Sequence, residues 1–333
     1  MAGKSKLQQT RGYFKLAGIV SGVKRNDFYT EKMTRSDNPK LRKSVKFGIQ
    51  SSPNNKVFVT LAAQPMEKVY FSKRAENKGE KPITKAVDWD KRSSFNENGY
   101  KIIGVNLGLT KKLDQDGKEV NDVKHLVQYD AVDYIKQNLR DDMHVFVRGH
   151  IEYSRFENRN IKQYVIDQIS LCQPIDFASE SFKETANWEQ FITYRAIEKD
   201  ASEDEKFMLT GNIVNYNNIV ETDFVIRSSK IAQVLKKNLK PYYGVKIYGN
   251  LIGSVQEVVV EDDDGWGEPN PMEATGGYYK EMLVTGAQKD SIDTDLYSEA
   301  IFDEFLRSKK EFGEIGNFSS SVNDDDDDDW SVE

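Results

Sequence analysis

Cationic side chains alternate with aromatic ones in several stretches of the first half of the chain, and this mixture suits one kind of ligand. Cations bind the phosphates of single-stranded nucleic acid, and an exposed ring stacks on an unpaired base for ~1–3 kcal/mol, whatever the base. The candidate nucleic-acid-binding residues are Arg11, Lys15, Lys24, Arg25, Phe28, Tyr29, Lys43, Lys46, Tyr70, Phe71, Lys73, Arg74, Lys91, Arg92, Phe95, Arg148, Tyr153, Arg155, Phe156 and Arg159. For rings in polar loops or at strand ends, base stacking and packing at the rim of a core are equally open.

Residue patterns typical of enzymes are absent from the sequence. It has no Walker-type phosphate loop, no Gly-x-Ser-x-Gly nucleophile motif and no paired-histidine metal motif. Its single cysteine, Cys172, and its three scattered histidines lack the spacing of a zinc site. We therefore expect no catalytic residue, no metal and no cofactor, although the many scattered carboxylates leave a metal-dependent nuclease open.

Charge is distributed unevenly along the chain. The net charge is −7, but residues 1–174 carry +12 and residues 175–333 carry −19. Such an imbalance predicts a region that binds a polyanion, followed by an acidic segment. We expect the contact with nucleic acid mainly in the first half.

The acidic segment ends in a run of aspartates followed by an aromatic residue. The residues expected to bind a partner are Asp324, Asp325, Asp326, Asp327, Asp328, Asp329 and Trp330. A run of like charges cannot bury enough apolar area to fold, so this tail is expected to be disordered. Tethered to a cationic groove, it would compete with nucleic acid; a purely solubilising role is the alternative.

The sequence also indicates a compartment. A single cysteine cannot form an internal disulfide, and no run of about 18 apolar residues or signal peptide is present. We expect a cytoplasmic protein without membrane contact, in the host cytoplasm if the chain is viral.

Alternating apolar and polar residues predict strands in most of the chain, for example over residues 12–24, 43–51 and 56–64. Residues 125–139, 229–239 and 295–312 have helical periodicity, and residues 72–99 are predicted to form a long charged loop.

Part of this order repeats. Ile135–Leu139 and Val145–Ile151 match segments one hundred positions later. The repeat predicts a mainly β (α+β) fold with two tandem OB-like barrels, each with a helix before a glycine-bent strand, and a disordered acidic tail.

The expected boundaries follow from this reading. They are a flexible N-terminus (1–10), a first OB-like domain with the main binding site (11–175) and a long insertion (about 53–124), a partly helical linker (176–205), a second OB-like domain (206–290), a C-terminal helix (291–315) and the tail (316–333).

The basic β-rich body, the absence of catalytic motifs and the ending Asp324–Trp330 resemble the replicative single-stranded DNA-binding proteins of bacteria and bacteriophages. The resemblance implies an acidic tail that recruits replication proteins such as a polymerase, helicase or primase. Two features depart from it: Trp330 is followed by three further residues, and the repeat lies within one chain.

The sequence thus predicts a non-enzymatic, largely sequence-independent single-stranded DNA-binding protein in phage DNA replication, recombination or repair. A phage structural or assembly protein, a strand-annealing recombinase and a metal-dependent nuclease remain alternatives. A titration with single-stranded DNA, an annealing assay and incubation of DNA with Mg²⁺ separate them.

Overall fold

The computed structural model of the chain describes residues 7–75, 77, 79–156, 159–201, 203–215, 218–256 and 277–313. The described part is mainly β-sheet, which confirms the coarse prediction of the fold class. The acidic tail, with Asp324–Trp330, lies outside the described residues.

The first strands follow the predicted alternation of buried apolar and outward polar residues. They are β1 (Gly12–Ser21), β2 (Tyr29–Met33), β3 (Leu41–Ser52) and β4 (Asn55–Ala63). All four are joined by antiparallel pairing, β1 to β3, β2 to β3 and β3 to β4.

A folded insertion follows β4. Its strands are β5 (Lys68–Lys73), β6 (Ile83–Asp88), β7 (Lys101–Ile102), β8 (Val105–Gly108), β9 (Lys111–Leu113), β10 (Glu119–Asn121) and β11 (Lys124–Leu126), with a 3-10 turn at Trp89–Lys91. Strand β5 pairs with both β6 and β7. The long loop expected over residues 72–99 is therefore wrong in part, because Val69, Phe71 and Val87 form a small core with the nearby Phe95.

Helix α1 (Gln128–Asn138) precedes β12 (His144–Phe156) and β13 (Arg159–Leu171). Strand β12 pairs with β1 and with β13, and β13 runs parallel to β4 at Val165 and Thr60. The strands β1, β3, β4, β13 and β12 thus close into a first ring.

A second ring repeats this pairing. Its elements are β14 (Thr185–Lys199), β15 (Phe207–Val214), β16 (Ile219–Ile226), α2 (Ser229–Asn238), β17 (Gly244–Gln256) and β18 (Gly277–Asp293). Strand β14 pairs with β15 and β17, β15 with β16, and β17 with β18. Strand β16 runs parallel to β18 at Val225 and Leu283, which closes the ring.

Strand β14 corrects the expected linker over residues 176–205. Ala186, Trp188 and Ile192 are buried along a strand of 15 residues. Gln190, however, is fully buried in the same row, at the place where β14 pairs with β1. A polar residue at an inward position hides the alternation in the sequence.

The two rings share geometry at an offset of one hundred residues. Asp142 and Tyr242, which precede β12 and β17, both have a positive φ, of 67° and 72°. Gly149 and Gly249 each lie at a β-bulge, where an added Cβ would be 1.8 Å and 1.7 Å from a carbonyl oxygen of the neighbouring strand. Only glycine allows so close an approach of two backbones.

The rings are joined side by side. Strand β1 pairs antiparallel with β14, from Gly12 opposite Gln190 to Ala17 opposite Thr185, and a single hydrophobic cluster extends through both rings.

Two asparagine side chains form hydrogen bonds from one ring to the backbone of the other. The side chain of Asn55, the first residue of β4, donates to the Leu251 carbonyl (2.8 Å) and accepts from the Gly253 amide (2.7 Å). The side chain of Asn215, between β15 and β16, donates to the Tyr153 carbonyl (2.7 Å). Each asparagine therefore binds the backbone of the other ring.

Helix α3 (Glu299–Gly313) packs against the start of the chain. Tyr297, just before it, donates to the Gln8 carbonyl (2.9 Å), and the Thr10 amide donates to the Val214 carbonyl (2.9 Å). Gln8 and Thr10, in the segment expected to be flexible, thus form hydrogen bonds with Tyr297 and with the end of β15. None of the described helices has the length and apolar character to cross a membrane.

Candidate nucleic-acid interface

The outward sides of β2, β3 and β4 form one surface, which we call the basic face. Its inward neighbours Val45, Phe47 and Val59 are fully buried, so the alternate positions point away from the core. The basic face consists of Thr30, Lys32, Arg42, Ser44, Lys46, Gly48, Gln50, Lys56, Phe58, Thr60 and Ala62. It contains four cations and no carboxylate.

Phe58 lies at the centre of the basic face. It is half-buried and opposite Gly48 on β3, with Lys46 and Lys56 at neighbouring positions. A Cβ at position 48 would be 3.1 Å from the Lys56 side chain, so the glycine lets the lysine stem lie across β3. A ring flanked by ammonium groups is the arrangement that binds a base and its adjoining phosphates.

The cations of β2 and β3 extend this surface. Lys32 lies opposite Arg42, and the hydroxyl groups of Thr30 and Ser44 are 2.7 Å apart on the same side. Like charges on paired strands create a local positive potential, which attracts a polyanion.

Another group of predicted residues lies on β1 and β12. Lys15 is opposite Arg148, and Tyr13 is opposite His150; Lys15, Arg148 and Tyr13 are exposed. The carboxylates of Asp167 (2.8 Å) and Glu152 (3.2 Å) hydrogen bond with the two ring nitrogens of His150 and raise its pKa to about 9. The imidazole is therefore protonated at neutral pH.

Several predicted cations are held by the protein itself. Arg92 forms a bidentate pair with Asp130 of α1 (2.8 and 3.0 Å) and lies over the Trp89 ring (4.1 Å). Lys43 donates to Asp133 (2.7 Å). Hydrogen bonding by these carboxylates raises the pKa of both cations, although burial opposes the shift. Arg92 and Lys43 therefore fasten the insertion and β3 to the helix.

Two more cations form exposed pairs: Arg25 with Asp27 (2.9 Å) and Lys91 with Asp88 (3.3 Å). Exposed pairs of this kind contribute little energy, so nucleic acid could replace the carboxylate as partner.

Three predicted stacking residues are corrected by their burial. Phe28 packs against Phe47 with their aromatic centroids 6.2 Å apart. Tyr153 is buried where the first strand ring meets the second, and its hydroxyl donates to the Met282 sulfur on β18. Phe71 is buried in the insertion, where Phe95 packs against it at 4.4 Å. A ring inside a core offers no face to a base.

Tyr29 is half-buried, and its hydroxyl hydrogen bonds with Glu31 while the ammonium of Lys136 lies 3.5 Å from the ring centroid. Burial, followed by the bond to Glu31, raises the pKa of Tyr29. One face of the Tyr29 aromatic ring is therefore already occupied by the Lys136 ammonium.

The remaining predicted residues are divided among several surfaces. Exposed positions are Arg11, Lys24, Tyr70 and Arg74, and Lys73 is half-buried. The side chains of Arg155, Phe156 and Arg159 lie outside the described part of the structure. The structure does not bring all predicted residues together in one site.

Phe58, Lys56 and Lys32 were not among the residues predicted from the sequence. The prediction of a strand over residues 56–64, with Val57, Val59 and Leu61 inward, already placed Phe58 on the opposite side. The alternation of inward and outward residues could therefore have identified Phe58 and Lys56 as outward candidates.

The corresponding face of the second ring is different. Its outward residues on β16 include Glu221 and Asp223, and the latter accepts from Thr210 on β15 (2.7 Å). The first ring contacts the backbone of this strand: the ammonium of Lys162 donates to the Asp223 carbonyl (3.1 Å), and Asn160 donates to that of Glu221. Glu221 and Asp223 themselves are exposed. Desolvation at this contact lowers the pKa of Lys162, although the residue as a whole is exposed, so the shift is small in practice.

Clusters of three or more histidine, cysteine or carboxylate side chains that could hold a metal ion do not occur among the described residues.

Comparisons with known proteins give one family and several solved structures, two of which are described here. The chain is similar to the wild-type single-stranded DNA-binding protein from Thermus aquaticus, with 9% identity, a TM-score of 0.39, and coverage of 88% of this chain and 97% of the other. A deletion mutant of the same protein that also carries a substitution gives 7% identity, a TM-score of 0.38 and coverage of 87% and 98%. No curated protein matches the chain. The family model named YorF matches residues 74–316, which is well over half of the sequence, and the chain therefore belongs to the YorF family.

Proposed function

We propose that the chain is a non-enzymatic, largely sequence-independent single-stranded DNA-binding protein that coats exposed strands during phage DNA replication, recombination or repair. The observation that carries the proposal is the basic face, on which Lys46 and Lys56 flank Phe58, and Lys32 and Arg42 extend the row of cations along β2 and β3. Phosphate contacts of this kind supply affinity without sequence preference, and a central ring stacks on any base.

The order of the strands supports the proposal. Each ring has five strands with a helix between the third and fourth, and in the OB-fold the surface of the second and third strands binds oligonucleotides. In the first ring these strands are β3 and β4, which carry the basic face. We infer two tandem OB-like barrels, of which the first binds DNA.

The second barrel has a different role in this proposal. Its equivalent surface carries Glu221 and Asp223 and is in contact with Asn160 and Lys162 of the first barrel. Exposed carboxylates repel phosphates, so one barrel per chain makes the main contact.

The proposal is tested by titrating a dye-labelled oligothymidylate and following fluorescence anisotropy. Replacing two cations of the basic face, in Lys46→Gln with Lys56→Gln, should weaken binding. It should also reduce the slope of log K against log salt by roughly 1.4, because each lost phosphate contact in a single strand contributes about 0.7. Phe58→Ala should cost ~1–3 kcal/mol without changing that slope.

The matched control removes the same charge elsewhere. Lys236→Gln with Lys237→Gln changes two exposed cations in the last turn of α2 and should leave both affinity and slope unchanged. Equal weakening by both double variants would show that overall charge, and not the basic face, determines binding. Equal affinity of the wild type for duplex and single-stranded DNA would reject the proposed function.

The acidic tail completes the proposal. Asp324–Trp330 would compete with DNA for the basic face and present a docking sequence to a polymerase, helicase or primase. Its charge and its single aromatic residue support this role.

A further inference from the structure

The four strands at which the two rings meet present a second outward surface. Their order is β12, β1, β14, β17. We call their outward side the junction face; it consists of Arg148, His150, Tyr13, Lys15, Asn187, Glu189, Tyr248 and Asn250. It lies outside the basic face and includes residues of both rings.

Two cations lie directly opposite each other on this surface. Lys15 on β1 is paired in register with Arg148 on β12, and both are exposed. Neither has an ion pair within the described part of the chain. Like charges directly opposite on paired strands destabilise a sheet, so their presence is a cost unless an anion lies between them.

The nearby carboxylates are engaged with other cations. Glu189 pairs with Lys246 (3.9 Å), while Asp167 and Glu152 contact His150. These carboxylates therefore neutralise Lys246 and His150, and the repulsion between Lys15 and Arg148 remains.

The β-bulges determine what is displayed beside these cations. Arg148 immediately precedes the bulge at Gly149, and Tyr248 precedes the equivalent bulge at Gly249. Tyr248 is 43% exposed, and a Cβ at Gly286 would be 2.6 Å from its hydroxyl oxygen, so glycine leaves space for the ring. A bulge redirects the side chain that precedes it, here towards solvent.

A second exposed ring lies on the same surface. Tyr13 is 44% exposed and is opposite Glu189, which in turn is opposite Tyr248. The aromatic rings of Tyr13 and Tyr248 thus lie in one row, about 10 Å apart across three strands, and a base can stack on each.

We propose that the junction face is a second contact surface for the same single strand, in which Lys15 and Arg148 bind a phosphate and Tyr13 and Tyr248 stack on bases. The inference rests on the proposed function of the basic face. Strand β1 links the two surfaces, because its outward Ser21 lies beside Gly48 of the basic face and its other end carries Tyr13 and Lys15.

The test measures the melting temperature and the DNA affinity of one full-length variant, and the inference predicts that the first rises while the second falls. Lys15→Gln with Arg148→Gln should raise the melting temperature by about 1–2 °C, because it removes a repulsion between paired strands. The same variant should bind a long oligothymidylate (about 35 nucleotides) roughly tenfold more weakly, with a shallower salt dependence. A lower melting temperature would assign the two cations a purely structural role and overturn the inference.

Oligonucleotide length separates this inference from the proposed function. A short oligothymidylate (about 8 nucleotides) fits one barrel, so wild type and double variant should bind it equally. If the wild type binds the long strand and the double variant binds it equally well, the junction face is not a contact surface, although the proposed function stands. If the wild type binds neither strand, the proposed function fails.

A charge reversal provides the matched control. Lys15→Glu creates an ion pair with Arg148, so it should stabilise the protein further and weaken binding of the long strand at least as much as the double variant. Unchanged binding by Lys15→Glu would also contradict the inference.

Discussion

At the scale of single residues, burial decides which of the predicted side chains can meet a ligand. Phe28, Phe71 and Tyr153 have the right type and the right neighbours in sequence, but they are buried by packing against other segments of the chain. Phe28, for example, is covered by Phe47 of another strand. The sequence identifies the kind of chemistry, whereas exposure depends on pairings that only the fold supplies.

The clearest titrating residue is His150. Its folded pKa of about 9 lies above the ordinary value of 6.5, because Asp167 and Glu152 favour the charged form. Its contribution to stability is therefore fully present below about pH 6.5 and is lost as the pH rises through 9. We expect His150→Gln to flatten the fall in stability over this range, measured by urea unfolding at several pH values.

His125 is the control for this measurement. Burial, followed by repulsion from Lys101, lowers its pKa, so it does not favour the protonated form. His125→Gln should retain the fall in stability between pH 6.5 and 9, and a flattened profile would remove His150 as the cause.

At the scale of elements, periodicity predicted α1, α2 and most strands of the rings. It failed at β14 because buried Gln190 and Thr193 interrupt the apolar row. It also failed in the insertion, where a few apolar residues and partly buried aromatic side chains are enough to stabilise a small sheet. In both places strand pairing compensates for a local sequence that looks polar: β14 pairs with the distant β1, and β5 pairs with its neighbours β6 and β7.

The paired bulges allow a prediction about element geometry. An alanine Cβ at position 149 would be 1.8 Å from the Val165 carbonyl oxygen, and at position 249 it would be 1.7 Å from that of Leu283. We expect Gly149→Ala and Gly249→Ala each to destabilise the protein by about 1–3 kcal/mol, measured by denaturant unfolding. A cost below about 0.5 kcal/mol at either position would contradict a fixed bulge there.

At the scale of the whole molecule, the two halves are alike in fold and different in surface. The first ring exposes a cationic face, whereas the second exposes carboxylates on the corresponding strand β16, whose backbone the first ring contacts. The charge difference between the halves of the sequence already indicated this division. The contact of Asn160 and Lys162 with β16 could not be predicted, because it required knowing that the second ring begins at β14.

The acidic tail belongs to this scale because it acts on the chain as a whole. Deleting residues 319–333 removes the six aspartates and should tighten binding of oligothymidylate at low salt, with a smaller effect at high salt where charges are screened. Anisotropy titrations at two salt concentrations measure this. A control that replaces Trp330 alone, in Trp330→Ala, should not tighten binding, and equal affinity of truncated and full-length chains at low salt would reject competition by the tail.

The two asparagines that bind across the rings have a consequence for how the molecule unfolds. Asn55 satisfies backbone groups of β17, and Asn215 satisfies a backbone carbonyl of β12. If either ring opened alone, it would leave polar backbone groups of the other without partners, at a cost of roughly 1–3 kcal/mol for each group that remains buried. The two halves are therefore coupled into one cooperative unit, an internal dimer in a single chain, and heat should melt them together in one transition.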